Sequence, residues 1–170
     1  MMDTGLFLAR VVFGPLIAAH GAQKLFGWFG GYGIAGTGGF FESLGFRPGR
    51  LFATEAGLGE FAGGLLASLG LFGPIGPALV VAVMIVAAIG VHWRNGLFAT
   101  SNGIELPLLY AAVSTALALT GPGRYSLDAP LGIASVWTPA LTWSALGIGV
   151  IGGVANLAVR RTPAQATASA

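Results

Sequence analysis

Five apolar segments, each close to the length of a bilayer-spanning helix, constrain the fold of this chain more than any other feature. They cover residues 4–28, 51–72, 75–94, 103–121 and 138–158. A membrane-spanning helix needs about 20 largely apolar residues. The sequence therefore predicts an all-α membrane protein in which these segments form a transmembrane bundle and the linkers lie at the two membrane surfaces.

The scarcity of charge supports a membrane location. Only 8% of the residues are charged, against about 25% in soluble domains, so the chain cannot cover a water-facing surface. The sequence contains no Cys, which excludes thiolate metal ligands, thiol redox chemistry and disulfides within this chain. The start, MMDTGLFLAR, lacks a basic region before its apolar run, and we interpret the first segment as a retained helix.

The placement of the arginines predicts the orientation in the membrane. Cytoplasmic loops carry an excess of Lys and Arg. One of the two orientations leaves only Arg124 in the outer linkers. We therefore expect a multi-pass protein of the plasma (inner) membrane, with its N-terminus outside and its C-terminus in the cytoplasm. The arginines on the cytoplasmic side are then Arg47, Arg50, Arg94, Arg160 and Arg161.

Ionisable side chains inside the apolar segments are candidate functional groups, because each costs about 2.5–3.5 kcal/mol to insert. His20 and Glu60 lie roughly 12–14 Å inside one membrane edge, at the same depth. We expect a polar site at this end of the bundle. Antiparallel connectivity brings four further groups to the same end: Lys24, Glu55, His92 and Glu105.

Arg10 lies at the opposite end of the first segment, on the side of linker 122–137. Asp128 in that linker is its natural counter-ion, and we predict a structural ion pair between them. Opposite charges inside a bundle can also serve only to fix the register of the helices. That alternative stays open for Arg10 and Asp128 and for the group at the other end.

No further chemical motif is evident. Two histidines on separate helices can ligate a haem, but the different depths of His20 and His92 argue against one. No nucleophile–base pair, phosphate loop or metal-ligand set appears, so we predict no metal site and identify no catalytic residue. Whether the chain has an enzymatic activity of its own is left open.

The stretch GGYGIAGTGG contains Gly31, Gly33 and Gly36 in the spacing G-x-G-x-x-G. This motif binds a dinucleotide only where it follows a strand and opens a helix, whereas here it follows a membrane helix. We interpret it as a connector near the headgroups and a candidate lid over the polar site. The element after it is amphipathic, and its apolar residues are expected in the membrane interface: Phe40, Phe41, Leu44 and Phe46.

Small residues recur at a spacing that lets helix backbones approach. Gly59 with Gly63, and Gly149 with Gly153, form G-x-x-x-G pairs. Such pairs mediate close contacts between membrane helices. They indicate a packed bundle rather than a function.

Five blocks of sequence occur in an order that is typical of a known family. They are AHGAQKLFGWFGGYGIAGTGGFFESLGFRPG, EFAGGLLASLGLF, HWRNGLF, GIELPLLY and GPGRYSLD. Over residues 5–128 the chain thereby resembles the DoxX family of small integral membrane proteins. The resemblance implies a four-helix core, which we assign to residues 1–128. A linker and an additional transmembrane helix follow at 129–158, and a disordered polar tail at 159–170.

The resemblance also implies where function resides. Members of the family look like membrane subunits linked to quinol oxidation or like subunits of thiosulfate:quinone oxidoreductases, and others are associated with oxidative stress. The loop GRYSLD contributes Arg124, Tyr125 and Asp128 to the matching polar positions. The other matching positions form a candidate quinone or polar site: His20, Lys24, Glu60, His92, Asn95 and Glu105.

Two functional hypotheses follow. In the first, the chain is a quinone-associated subunit of a membrane redox system: His20 and Glu60 exchange protons, Lys24 and Glu105 hold the ring, and a partner subunit supplies electrons. In the second, it is a non-catalytic anchoring or lipid-binding subunit of a larger complex. Both involve the bilayer and either partner subunits or further copies of the chain. Neither involves nucleic acid or a covalently bound cofactor.

Overall fold

The computed structural model of the protein describes residues 1–161, and these form an all-α fold without strands. The five predicted segments are all helical, which confirms the fold class. The predicted tail lies outside the described residues from position 162 onwards. The helices are α1 (Met2–Phe26), α2 (Gly33–Ser43), α3 (Gly49–Leu69), α4 (Ile75–Ala87), α5 (Glu105–Thr120) and α6 (Pro139–Ala158).

Three helical stretches are long and apolar enough to cross a membrane by length and composition: Met2–Phe26, Ile75–Asn95 and Pro139–Ala158. The second consists of α4 with a π-helical turn and a 3₁₀ turn that continue it. The apolar α5 is shorter, with 16 residues, and the 21 residues of α3 include two carboxylates and several glycines. The chain is a multi-pass membrane protein.

Local signals in the sequence explain where the helices begin and end. α1 ends at Gly27 and α3 ends at Gly70, both in the left-handed conformation that glycine adopts without a steric penalty. α6 begins with Pro139, which lacks the N–H that a first-turn position leaves unpaired. Thr138 caps that helix by accepting a hydrogen bond from the Leu141 backbone N–H.

Glycines set the closest helix contacts. α4 lies centrally and packs against α3, α5 and α6. The two predicted G-x-x-x-G pairs both face α4: a Cβ added at Gly59 or Gly63 of α3, or at Gly149 or Gly153 of α6, would lie 2.5–2.9 Å from atoms of α4 or its first turn. α1 and α3 pack most extensively of all, through glycines outside those pairs: Gly14, Gly21, Gly57 and Gly64.

Replacing Gly21 with Ala is expected to lower the free energy of unfolding by about 1–3 kcal/mol. A Cβ at this position would lie 2.3 Å from the backbone nitrogen of Phe61, so α1 and α3 would have to separate. Gly147→Ala is the matched control, because a Cβ there meets nothing within 4 Å. We expect thermal unfolding in mild detergent to show a lower transition temperature for Gly21→Ala alone. Equal transitions for the two variants would contradict the packing described for α1 and α3.

Arg10 and Asp128 lie at the same end of the bundle, as predicted, but within residues 1–161 they form no direct ion pair. Within residues 1–161 the carboxylate of Asp128 accepts three hydrogen bonds at 2.8 Å, from the backbone N–H groups of Phe72 and Gly73 and from Nε1 of Trp137. The Arg10 guanidinium donates to the carbonyl oxygen of Tyr125, at 2.6 Å. Both side chains still fasten linker 121–138 to the bundle, although they do so separately.

Candidate functional site

A cavity of about 280 Å³ lies at the end of the bundle where Lys24 and Glu60 meet. Its walls come from α1 to α5 and from the turns between α4 and α5. Most lining residues are apolar, including Phe40, Phe41, Met84 and Leu106. The polar ones form a short set: His20, Lys24, Thr37, Glu60, His92, Asn102 and Tyr110.

Lys24 and Glu60 form the charged centre of this cavity. Nζ of Lys24 lies 2.5 Å from Oε2 of Glu60, and this is the one salt bridge within residues 1–161. The Glu60 side chain is 4% exposed and that of Lys24 is 26% exposed, so the ammonium group faces the cavity more openly. The sequence predicted that the two residues share one end of the bundle, and the structure joins them directly.

His20 lies one helical turn before Lys24, on the same side of α1. Its Nδ1 is 3.3 Å from Oε1 of Gln23, and Nε2 of Gln23 donates to the carbonyl oxygen of Phe29. The imidazole ring centre lies 5.9 Å from that of Tyr110 on α5. Histidine and tyrosine thus border the cavity together, and Gln23 orients the histidine.

Three predicted site residues hold the segment that closes the cavity on the α4–α5 side. Nδ1 of His92 lies 2.7 Å from the carbonyl oxygen of Asn102, and Nδ2 of Asn95 donates to the same oxygen at 3.2 Å. The carboxylate of Glu105 accepts a hydrogen bond from the Ala99 N–H at 2.7 Å. His92 also lines the cavity, whereas Asn95 and Glu105 do not. Their role is to position residues 96–104.

Glu55 lies apart from the charged centre. It is exposed and lines a separate, smaller cavity of about 120 Å³ between α3, α4 and α6. Glu55 and Glu60 are on different sides of α3, as their spacing of five residues predicts. This makes Glu55 a natural control for any experiment on Glu60.

The glycine-rich connector forms a helix rather than an irregular loop. α2 begins at Gly33, within GGYGIAGTGG, and its residues Thr37, Phe40 and Phe41 line the cavity. The prediction that Phe41 and Phe46 lie in the membrane interface is wrong, because both are buried against Ala53 of α3. α2 therefore borders the polar site, while the lid motion itself stays a prediction.

Sequence reasoning missed Tyr110, Thr37 and Asn102. Tyr110 is the one tyrosine inside an apolar segment, since Tyr32 and Tyr125 lie in linkers. That isolation of a polar aromatic group is a signal that could have identified it. Thr37 and Asn102 become site residues only through the folding of the linkers, which no helical periodicity reports.

The fold and the cavity define a class of protein: a multi-pass helical membrane protein with an ion pair in a cavity at one end of its bundle. Residues 5–93 match the family model described as DoxX, and the chain belongs to the DoxX family. The match runs from α1 through the π-helical turn after α4 and includes His20, Lys24, Glu60 and His92. It stops before α5, short of the predicted limit at residue 128. No curated protein and no solved structure matches the chain significantly.

Proposed function

We propose that this DoxX protein is a quinone-associated subunit of a membrane redox system, with the quinone headgroup in the cavity beside Lys24 and Glu60. We place it in the plasma (inner) membrane with that end towards the cytoplasm, as the distribution of arginines favours. The observation that carries the proposal is one part-buried ion pair in a largely apolar cavity. Such a combination suits an amphiphile with a polar, hydrogen-accepting head.

The residues that line the cavity suit a flat ligand with carbonyl groups. A quinone presents two carbonyl oxygens on opposite edges of an apolar ring, so a matching site needs hydrogen-bond donors among apolar walls. Lys24 offers ammonium N–H groups on α1, and Tyr110 offers a hydroxyl group on α5. Phe40 and Met84 supply apolar and aromatic contact area.

Proton exchange is the role that remains for His20 and the ion pair. Reduction of a quinone to a quinol consumes two electrons and two protons. A histidine side chain changes its charge between about pH 5 and 8, and His20 borders the same cavity as Glu60. In this proposal His20 and the Lys24–Glu60 pair transfer the protons, and a protein partner supplies or accepts the electrons.

Co-purification tests this function. The protein is purified in mild detergent, and the bound quinone is extracted and quantified by chromatography. We expect wild type and Glu55→Gln to retain similar amounts of quinone, and Glu60→Gln and His20→Ala to retain at most about a tenth. A visible spectrum of the same sample tests the expectation that no haem is bound.

The opposite outcome is equally clear. If wild type carries only phospholipid and its amount is the same in Glu60→Gln, the quinone proposal is refuted. The alternative of a lipid-binding or anchoring subunit then stands in its place.

A further inference from the structure

A second large cavity, of about 300 Å³, lies at the same end of the bundle but outside the ion-pair site. It is formed where the end of α2, the distorted end of α4 and the end of α6 meet. It is lined by Ser43, Leu44, Gly90, Arg94 and Arg160, and Arg160 lies two residues beyond the end of α6. It shares only its α4 wall, at Val91, with the cavity beside Glu60.

Two guanidinium groups dominate the charge of this cavity. Within residues 1–161 neither Arg94 nor Arg160 has a carboxylate within 4.0 Å. The nearest acidic residue along α2, Glu42, accepts a hydrogen bond from the backbone N–H of Gly49. Glu105, beyond the α4–α5 turn, is bonded to Ala99. Within the described part of the chain, neither guanidinium group therefore forms a salt bridge.

Arg160 is held in place by the fold. Its Nε donates to the carbonyl oxygen of Leu44 at 2.5 Å, and its guanidinium carbon lies 5.7 Å from the ring centre of Phe46. The next residue, Arg161, donates its backbone N–H to the carbonyl oxygen of Gly45 at 2.9 Å. These contacts fasten the end of α6 to the α2–α3 turn and leave the two terminal nitrogens of Arg160 without a hydrogen bond in residues 1–161.

The end of α4 presents the second arginine. A π-helical turn, Ala88–His92, interrupts the regular geometry of the helix directly before Arg94, and such turns are frequent at functional sites. Asn95 follows and uses one amide N–H for the Asn102 carbonyl oxygen, so its other amide N–H is available. Arg94 itself is exposed and forms no side-chain hydrogen bond within the described residues.

We propose that this cavity binds the phosphate of an anionic phospholipid headgroup. Paired guanidinium groups match the geometry of phosphate oxygens, and basic pockets between membrane helices on the cytoplasmic side recognise anionic lipid headgroups. Ile89 and Val91 line the same cavity and provide apolar contact for the glycerol and upper acyl region. The ligand is thus a phosphodiester at the membrane surface, held at the ends of α4 and α6.

The competing effect is the negative potential of the helix ends. The carbonyl end of a helix carries about half a negative charge, which is less than the full positive charge on each arginine. One of the carbonyl groups concerned, that of Leu44, is already paired with Arg160 Nε. The arginines therefore do more than neutralise the helix ends. The proposal also gives α6, which lies outside the family match, a role in completing the site.

Binding of defined lipids tests the proposal independently of the quinone function. Full-length protein in detergent is delipidated and then titrated with phosphatidylglycerol, with phosphatidylcholine and with inorganic phosphate, and bound lipid is counted by native mass spectrometry. We expect phosphatidylglycerol to bind at least tenfold more tightly than phosphatidylcholine, and inorganic phosphate to compete only weakly. Quinone binding to the ion-pair cavity stays unchanged in either case.

Matched charge variants locate the site. Arg94→Gln is expected to weaken phosphatidylglycerol binding about tenfold, because Arg94 has no structural hydrogen bond to lose. Arg47→Gln removes the same charge from the same end of the bundle outside the cavity and is expected to bind like wild type. Arg160→Lys keeps the charge but loses the planar guanidinium group. We expect its affinity for phosphatidylglycerol to lie between those of wild type and Arg94→Gln.

Three outcomes would overturn the proposal. Both lipids carry a phosphodiester and differ in the net charge of the headgroup. Equal binding of phosphatidylglycerol and phosphatidylcholine would therefore show that the net negative charge has no role. Equal losses in Arg94→Gln and Arg47→Gln would indicate general attraction to a positive surface. Inorganic phosphate that binds as tightly as the lipid would assign the site to a soluble phosphate instead.

Discussion

Replacing Glu60 with Ala is expected to lower the free energy of unfolding by about 2–3 kcal/mol. This is less than the cost of breaking a fully buried ion pair, because the Lys24 side chain is 26% exposed. The carboxylate is almost fully buried and lies 2.5 Å from Nζ of Lys24. Its loss leaves an ammonium group beside apolar walls without a counter-ion. Unfolding by titration with a denaturing detergent, monitored by circular dichroism, measures the change.

Two further variants separate charge pairing from general damage to α3. Glu55→Ala removes an exposed carboxylate from the same helix, and we expect a change within about 0.5 kcal/mol. The double variant Lys24→Met with Glu60→Leu replaces the pair by apolar groups, which is often neutral or stabilising. We expect it to recover most of the lost stability. A single Glu60→Ala variant as stable as Glu55→Ala would show that the pair contributes nothing to folding.

Asp128→Ala is expected to cost about 3 kcal/mol, because three N–H groups lose a charged acceptor and at least some remain buried without a partner. Asp128 is fully buried and joins the α3–α4 turn, through Phe72 and Gly73, to Trp137 in the linker before α6. Thermal unfolding gives the loss of stability, and limited proteolysis of linker 121–138 shows whether the linker has been released.

Partial variants define the contribution of each contact. Trp137→Phe removes one donor and is expected to cost about 1 kcal/mol. Asp3→Ala removes a single hydrogen bond, to the Arg124 N–H at the same end of the bundle, and is expected to cost no more than that. If Asp128→Ala lowers the free energy of unfolding no more than Asp3→Ala does, contacts other than those of the Asp128 carboxylate hold the linker.

The membrane helices could be predicted from the sequence because their length and apolar content are local properties. The start of α6, for example, follows from Thr138 and Pro139 alone. α2 could not be predicted in the same way, since its glycines have low helix propensity. It is stabilised by packing on α3, where a Cβ at Gly38 would lie 3.0 Å from the backbone of Arg50. That is a tertiary contact, which no helical pattern reveals.

For the candidate site, the sequence predicted how deep each residue lies in the membrane but not which residues contact one another. Rise per residue placed His20 and Glu60 at one level and brought Lys24 near them, and all three line one cavity. The depth of a residue in the membrane does not show which nearby donor forms a hydrogen bond with its carboxylate. Asp128 therefore appeared to be a partner for Arg10, although the backbone N–H groups of the α3–α4 turn reach it. For the same reason the sequence could not show that Glu105 accepts a hydrogen bond from the Ala99 N–H and so holds the segment that closes the cavity.

Titration of a short-chain quinone into purified protein in lipid nanodiscs tests the proposed function most directly. Wild type, Glu55→Gln and Glu60→Gln are compared at one pH by equilibrium dialysis, with empty nanodiscs as the background. We predict saturable binding of one quinone per chain in wild type and Glu55→Gln, and binding at least tenfold weaker in Glu60→Gln. Binding that is identical in all three proteins, or no greater than in empty nanodiscs, would contradict it.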